Sequence, residues 1–186
     1  MPNIFQGKLV RLRAIEPSDW EILYEWDQTD SDGARMSYEI SFPVPREEAK
    51  ARTERESKYT AESDVFRFQI ERLDRELVGN IGVHTLNRRC GTFMYGLYIA
   101  PTHRQQGYAS EAIALLLRFY FHERRYQKVN AEVYSFNEPS IRLHERLGFV
   151  LEGRLRRMQY SGGLFHDTLI YGMTREEFDA RDWGLE

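Results

Sequence analysis

Among its 186 residues the chain has one cysteine, Cys90. A single thiol cannot form an intrachain disulfide, which suits a reducing compartment. Cys90 lies in Asn87-Arg88-Arg89-Cys90-Gly91, which reads as a hairpin turn, and no histidine beside it would make it a nucleophile. No run of about 18 apolar residues occurs, so no helix is expected to cross a membrane. The N-terminus lacks the apolar core of a signal peptide, and the expected location is cytoplasmic. Positive charge is not in excess either: the net charge is -3 and Lys and Arg are scattered, so no nucleic-acid-binding face is expected. His and Cys do not occur at metal-ligand spacing, and no metal is expected. Two phosphate signatures are missing, the Gly-Lys-Ser/Thr of a P-loop and the G-x-G-x-x-G of a dinucleotide fold.

What is present is an ordinary globular mixture, 41% hydrophobic and 30% charged, of a size for one domain. No internal repeat or low-complexity linker divides it. A strand is expected over 8–14, then a helix with Ser18-x-x-Glu21 as its capping box, and 29–33 reads as a polar loop. A very polar helix follows from Pro45 to about Thr60. Three strands over 65–73, 76–86 and 91–100 have short connections and read as an antiparallel meander. Gly79 and Gly82 in the second suggest close backbone approach or a bulge.

The stretch Tyr95 to Glu111 organises the rest. Phe93, Tyr95, Leu97 and Ile99 alternate with Met94, Gly96 and Tyr98 until Pro101 stops the strand. From Ala109 the apolar spacing becomes helical, through Ala112, Ile113, Leu116, Leu117 and Tyr120. Between the two periods stands Arg104-Gln105-Gln106-Gly107-Tyr108-Ala109. Glycine and a small residue at a helix N-terminus let backbone N–H groups approach an anion, and Arg104 would add a full charge. A tight turn with a solvated arginine reads equally well here.

Lys128 to Tyr134 reads as a strand parallel to the first, reached by a right-handed crossover. Asn137-Glu-Pro-Ser140 then opens a short helix ending at Leu147-Gly148-Phe149, with Asn137 and Ser140 suited to capping. In a parallel crossover both strands end on one side, so the Arg104 and Asn137 loops share a crevice. Ser140 and His144, four apart, share a helix face. A hairpin with its turn at Ser161-Gly162-Gly163 and a helix capped by Thr174-x-x-Glu177 close the chain.

With these motifs in place, the sequence resembles the GCN5-related N-acetyltransferases over nearly its whole length. Arg104-x-x-Gly107-x-Ala109 is similar to that family's pyrophosphate turn. Asn137-x-x-Ser140 and Leu147-Gly148-Phe149 are similar to its second cofactor motif. The branch it resembles contains the ribosomal-protein alanine and spermidine N-acetyltransferases. The features shared with that branch are Leu147-Gly148-Phe149-Val-Leu-Glu-Gly153, the aromatic at 160 and Gly163-x-x-His166-Asp167.

The resemblance implies a single α/β (α+β) domain. It would be a mixed, mostly antiparallel sheet of about seven strands, with a central parallel pair splayed by a bulge at the cofactor site and about four flanking helices. Residues 1–64 would form the acceptor side, 65–149 the acyl-CoA core and 150–186 the terminal hairpin and helix. It implies acetyl-CoA as acyl donor, with Leu97, Tyr98, Ile99, Arg104, Gln105, Gln106, Gly107, Tyr108, Ala109, Ser110, Asn137 and Ser140 binding it. A primary amine, either small or a peptide N-terminus, would attack directly. The backbone N–H of Tyr98 or Ile99 would polarise the thioester carbonyl, and Ser140 or His144 would protonate the leaving thiolate. Tyr38, Glu39, Phe42, Tyr160, His166 and Asp167 would face the acceptor, and a homodimer is implied. A base is not declared, because Gln159 stands where that branch has glutamate; Glu39, His84, His166 and Asp167 are the candidates. Gln159 and His144 also leave open a non-catalytic CoA-binding module on the same fold.

Overall fold

The computed structural model describes residues 3–37, 43–58 and 64–185; Tyr38, Glu39 and Phe42 therefore lie outside the described residues. Strands form where apolar residues alternate: β1 Val10–Arg13, β2 Arg67–Arg72, β3 Leu77–Asn87, β4 Thr92–Ile99, β5 Lys128–Tyr134, β6 Val150–Ser161 and β7 Leu164–Thr174. They make one sheet in the order β1-β2-β3-β4-β5-β7-β6. Only β4 and β5 run parallel. The described residues contain six α-helices rather than four: α1 Trp20–Thr29, α2 Ser31–Arg35, α3 Arg46–Ser57, α4 Tyr108–Arg118, α5 Glu138–Arg146 and α6 Arg175–Asp179.

The extra helices have local causes. Residues 29–33 read as a loop, yet Asp30 caps α2 by accepting from the Gly33 N–H at 2.9 Å. The capping box ahead of α1 is formed by Glu16 and Asp19 around a 3-10 turn, not by Ser18 and Glu21. Asp19 is preferred because its carboxylate also receives the Arg13 guanidinium at 2.8 Å, tying β1 to the turn. The Thr174–Glu177 capping box of α6 forms as the sequence reads.

The sheet lies between two helical layers. Phe93 of β4 stacks on Tyr120 at 4.7 Å and meets Phe121 at 5.8 Å, both in the π-helical turn Phe119–Glu123 that continues α4. Tyr95 reaches His144 of α5, so α4 and α5 cover the face of Phe93, Tyr95 and Ile99. Successive strand residues point to opposite faces. Tyr98 accordingly points the other way and packs on Trp26 of α1, with ring centroids 5.5 Å apart.

Candidate active site

The parallel pairing of β4 and β5 stops early. Thr92, Phe93 and Met94 pair with Lys128, Val129 and Asn130, and no pairs follow, although β4 continues to Ile99 and β5 to Tyr134. β5 stays paired to β7 through Tyr134 and β4 to β3 through Ile99, so the sheet parts between β4 and β5. The register offset responsible lies in β3, where two residues, His84 and Thr85, oppose Met94 alone. A bulge bends and twists its strand, and here it turns β4 away from β5 where the ladder ends. The bulge expected in β4 is therefore found in β3.

The ladder fixes which backbone groups of β4 face the splay. The Ala100 N–H donates to the Val78 carbonyl at 2.9 Å, so Ala100 points toward β3. Antiparallel ladders alternate, so Tyr98 and Gly96 point toward β3 as well. Tyr95 faces β5, where its N–H closes the last β4–β5 pair, and beyond it Leu97 and Ile99 turn their N–H groups into the splay. The Ile99 carbonyl bears this out, being free of β3 and accepting from Arg104 Nε at 3.0 Å. Of the two N–H groups expected in the oxyanion role, that of Tyr98 points toward β3 and that of Ile99 faces the splay. Gly79 keeps β3 close along this edge: a Cβ there would stand 2.1 Å from the Tyr98 carbonyl oxygen.

Below the splay, Gln105 and Gly107 adopt positive φ of 63° and 87°, and α4 starts at Tyr108. Among the described residues, the six N–H groups from Gln105 to Ser110 donate to no protein acceptor. They converge at the positive end of the α4 dipole. Gln106 braces this loop, its Nε2 donating to the Thr102 carbonyl at 3.1 Å and its Oε1 accepting from the Tyr108 hydroxyl at 3.0 Å. Glu111 anchors the loop against β1: its carboxylate accepts the N–H groups of Lys8, Leu9 and Val10 at 2.9, 2.7 and 2.7 Å.

The Arg104 guanidinium beside this nest of donors is already engaged within the protein. It forms an ion pair with the buried Asp30 and donates to Ile99, so the free charge expected there is spent on joining the loop to α2. Neither Asp30 nor Glu111 was legible as part of the site, since each makes its contact with a segment about 75 or more residues away.

Asn137 caps α5, accepting from the Ser140 N–H at 3.2 Å, and Ser140 is half-buried in the first turn of α5. His144 is buried. Its Nδ1 lies 2.8 Å from the Ser140 carbonyl, which can only accept, so Nδ1 carries the proton. Nε2 then accepts from the Tyr95 hydroxyl at 2.8 Å. Burial holds the imidazole pKa below its ordinary value, against the Ser140 carbonyl, which raises it. His144 is a neutral core residue, packed edge-on to Phe149 and stacked on Tyr171, and the expectation that it presents an acid to the crevice is corrected.

On the opposite face the Tyr98 hydroxyl is buried and makes no hydrogen bond of ordinary geometry among the described residues. Burial, then the Asp30 carboxylate, push its pKa well above the phenol range. His84, exposed on the β3 bulge, stands over Gly96 on the face of Met94 and Tyr98; a Cβ on Gly96 would be 3.9 Å from its ring. Asp167 accepts from the Arg157 N–H at 2.8 Å and from the Arg154 guanidinium, and both hold its pKa down. That carboxylate is occupied and makes a poor base. His166 reaches the Ser161 carbonyl at 3.2 Å and packs on Phe136 at 4.5 Å. Tyr160 and Phe165 are exposed at the hairpin tip, 5.0 Å apart. No group of three His, Cys, Asp or Glu side chains able to hold a metal occurs among the described residues.

A profile described as the acetyltransferase (GNAT) domain matches residues 10–150. The SPbeta prophage-derived N-acetyltransferase YokL of Bacillus subtilis (strain 168) is 42% identical over 93% of this chain and 94% of its own. A GNAT-family acetyltransferase structure from Bacillus anthracis superposes with a TM-score of 0.79 at 25% identity, over 93% of this chain and 99% of that one. A Vibrio cholerae spermidine N-acetyltransferase, solved in complex with CoA and spermine, shares the fold with a TM-score of 0.77 at 21% identity, over 91% and 97% of the two chains. The chain belongs to the GNAT family of N-acetyltransferases.

Proposed function

We propose that the chain transfers the acetyl group of acetyl-CoA to a primary amine by direct attack in a ternary complex. The observation that carries the reading is the juxtaposition of two sets of unused backbone donors. One set is the edge of β4 at Leu97 and Ile99, past the end of the β4–β5 ladder, and the other is the run from Gln105 to Ser110. An extended amide-bearing arm adds to the first as a strand would. A pyrophosphate suits the second. The Leu97 or Ile99 N–H then stabilises charge developing on the acyl oxygen. A CoA complex of a protein with the same fold supports the choice of donor.

Ser140 protonates the leaving thiolate. The His144 Nδ1–H lies 3.4 Å from Ser140 Oγ, which leaves the hydroxyl proton free to point into the crevice. For the base, Asp167 is held by Arg154 and Arg157 and His166 donates to a carbonyl; His84 is placed on the acceptor face above Gly96, its Nδ1 3.1 Å from Thr85 Oγ1, and is chosen for that position. Two described carboxylates act on the Tyr98 hydroxyl, Asp30 and Asp27, and each is paired with an arginine, Arg104 and Arg52. That arrangement suits a single amine better than a polycation. Exposed Met158, Tyr160, Leu164 and Phe165 on the hairpin support a homodimer as part of the proposal.

Isothermal titration with acetyl-CoA, followed by a thiol-release assay over small amines and peptide N-termini, tests the reading. Saturable binding and turnover with at least one amine are expected. Absence of binding at millimolar acetyl-CoA overturns it.

A further inference from the structure

With Arg104 committed to Asp30, the donors at the α4 N-terminus need another cation. We infer that Arg146 supplies it, binding a phosphate of the acyl donor together with Ser110. The inference rests on the CoA reading above. Arg146 is the last residue of α5, is exposed, and lies 36 positions from Ser110. Its Nη2 donates to Ser110 Oγ at 3.0 Å. Ser110 is the third residue of α4, and its own N–H belongs to the unused run. A hydroxyl that accepts from a guanidinium keeps its proton to give away, so Arg146 leaves Ser110 oriented as a donor toward an anion.

The surroundings keep the guanidinium uncompensated. No carboxylate pairs with Arg146 among the described residues. Glu111, the acid in the same turn as Ser110, is consumed by three backbone N–H groups. Glu145, beside Arg146 in sequence, accepts from the Tyr171 hydroxyl at 3.1 Å. Arg181 fixes the end of α5 by donating to the Arg146 carbonyl at 2.6 Å, and adds a second guanidinium at this edge. Gly148 makes room for it: a Cβ there would stand 2.6 Å from Arg181 Nη1. A guanidinium in such a place binds phosphate with geometry as well as charge.

Titration calorimetry of the wild type, Arg146→Gln and Arg146→Lys with CoA, 3′-dephospho-CoA and pantetheine tests this. Arg146→Gln is expected to weaken CoA binding about tenfold, the loss of one charge-assisted hydrogen bond. It should leave pantetheine unchanged and flatten the salt dependence of CoA affinity. Arg146→Lys keeps the charge and should recover most of the loss, which separates the effect from misfolding. An equal loss with 3′-dephospho-CoA assigns Arg146 to the pyrophosphate, and a loss confined to CoA assigns it to the 3′-phosphate; either bears the inference out. Unchanged CoA affinity in Arg146→Gln overturns it while the CoA reading stands. Failure of the wild type to bind CoA overturns that reading instead.

Discussion

The Tyr95 hydroxyl donates to His144 Nε2 at 2.8 Å, joining β4 to α5 across the line where β4 and β5 part. Both residues are buried, and burial alone pushes the Tyr95 phenol far above its ordinary range. Tyr95→Phe therefore leaves His144 Nε2 as a buried acceptor without a donor. Such a group costs about 1–3 kcal/mol, and urea unfolding should show a loss of that size. Tyr95→Phe combined with His144→Phe removes both partners and should recover part of it. If the double variant is no more stable than the sum of the singles, the bond is not what couples these residues.

The same bond sets a pH dependence. The folded-state pKa of His144 lies below the unfolded value near 6.5, since burial disfavours the charged ring. Below that unfolded value the unfolded chain binds the extra proton, so the stabilisation is full above about pH 6.5 and falls as pH drops toward the folded value. One proton limits the slope to about 1.4 kcal/mol per pH unit. The carboxylate of Glu71, whose pKa is lowered by Arg13 and Arg11 against the effect of burial, begins to act only at more acid pH. Urea midpoints between pH 7 and 5 should fall for the wild type and stay flatter for His144→Phe. Parallel slopes would contradict the assignment.

Arg104 and Asp30 predict a division of labour with Arg146. The Asp30 carboxylate is buried while the guanidinium is partly exposed, so breaking the pair costs less than breaking a fully buried one, about 1–3 kcal/mol. Arg104→Gln should lower the urea midpoint clearly and change CoA affinity less than Arg146→Gln does. The opposite order in calorimetry would return the anion-binding role to Arg104. Arg104→Glu is the poorer probe, because it sets a carboxylate against buried Asp30 and would unfold the chain whichever role Arg104 plays.

Periodicity made the sheet legible. β5 appears over Lys128 to Tyr134 as its alternation reads, and the helix from Gly107 is announced by the change of spacing after Pro101. Gly79 also read correctly as a point of close backbone approach. The missed features depend on contacts distant in sequence. Arg104 is drawn off by Asp30, 74 positions away, and His144 into the core by Tyr95, 49 away. Of Tyr98 and Ile99, the ladder parity set by Ala100 and Val78 shows that only Ile99 turns its N–H to the splay, which no spacing in the sequence announces. The α2 helix was hidden for a local reason: Thr29 to Gly33 carries polar residues suited equally to a loop and to a capped short helix.

His84 carries the last prediction. It stands on the β3 bulge, and bulges commonly re-aim a side chain at a working surface. As the base that takes the amine proton, directly or through one water, it should contribute about 10²-fold or more. His84→Gln should therefore lower kcat by roughly that factor while KM for acetyl-CoA and the urea midpoint stay close to wild type, since the ring is exposed and leaves no cavity. Free imidazole in the buffer should restore part of the rate, a rescue that a merely structural role would not give. Full activity in His84→Gln would move the base to His166, and His166→Gln would then carry the loss.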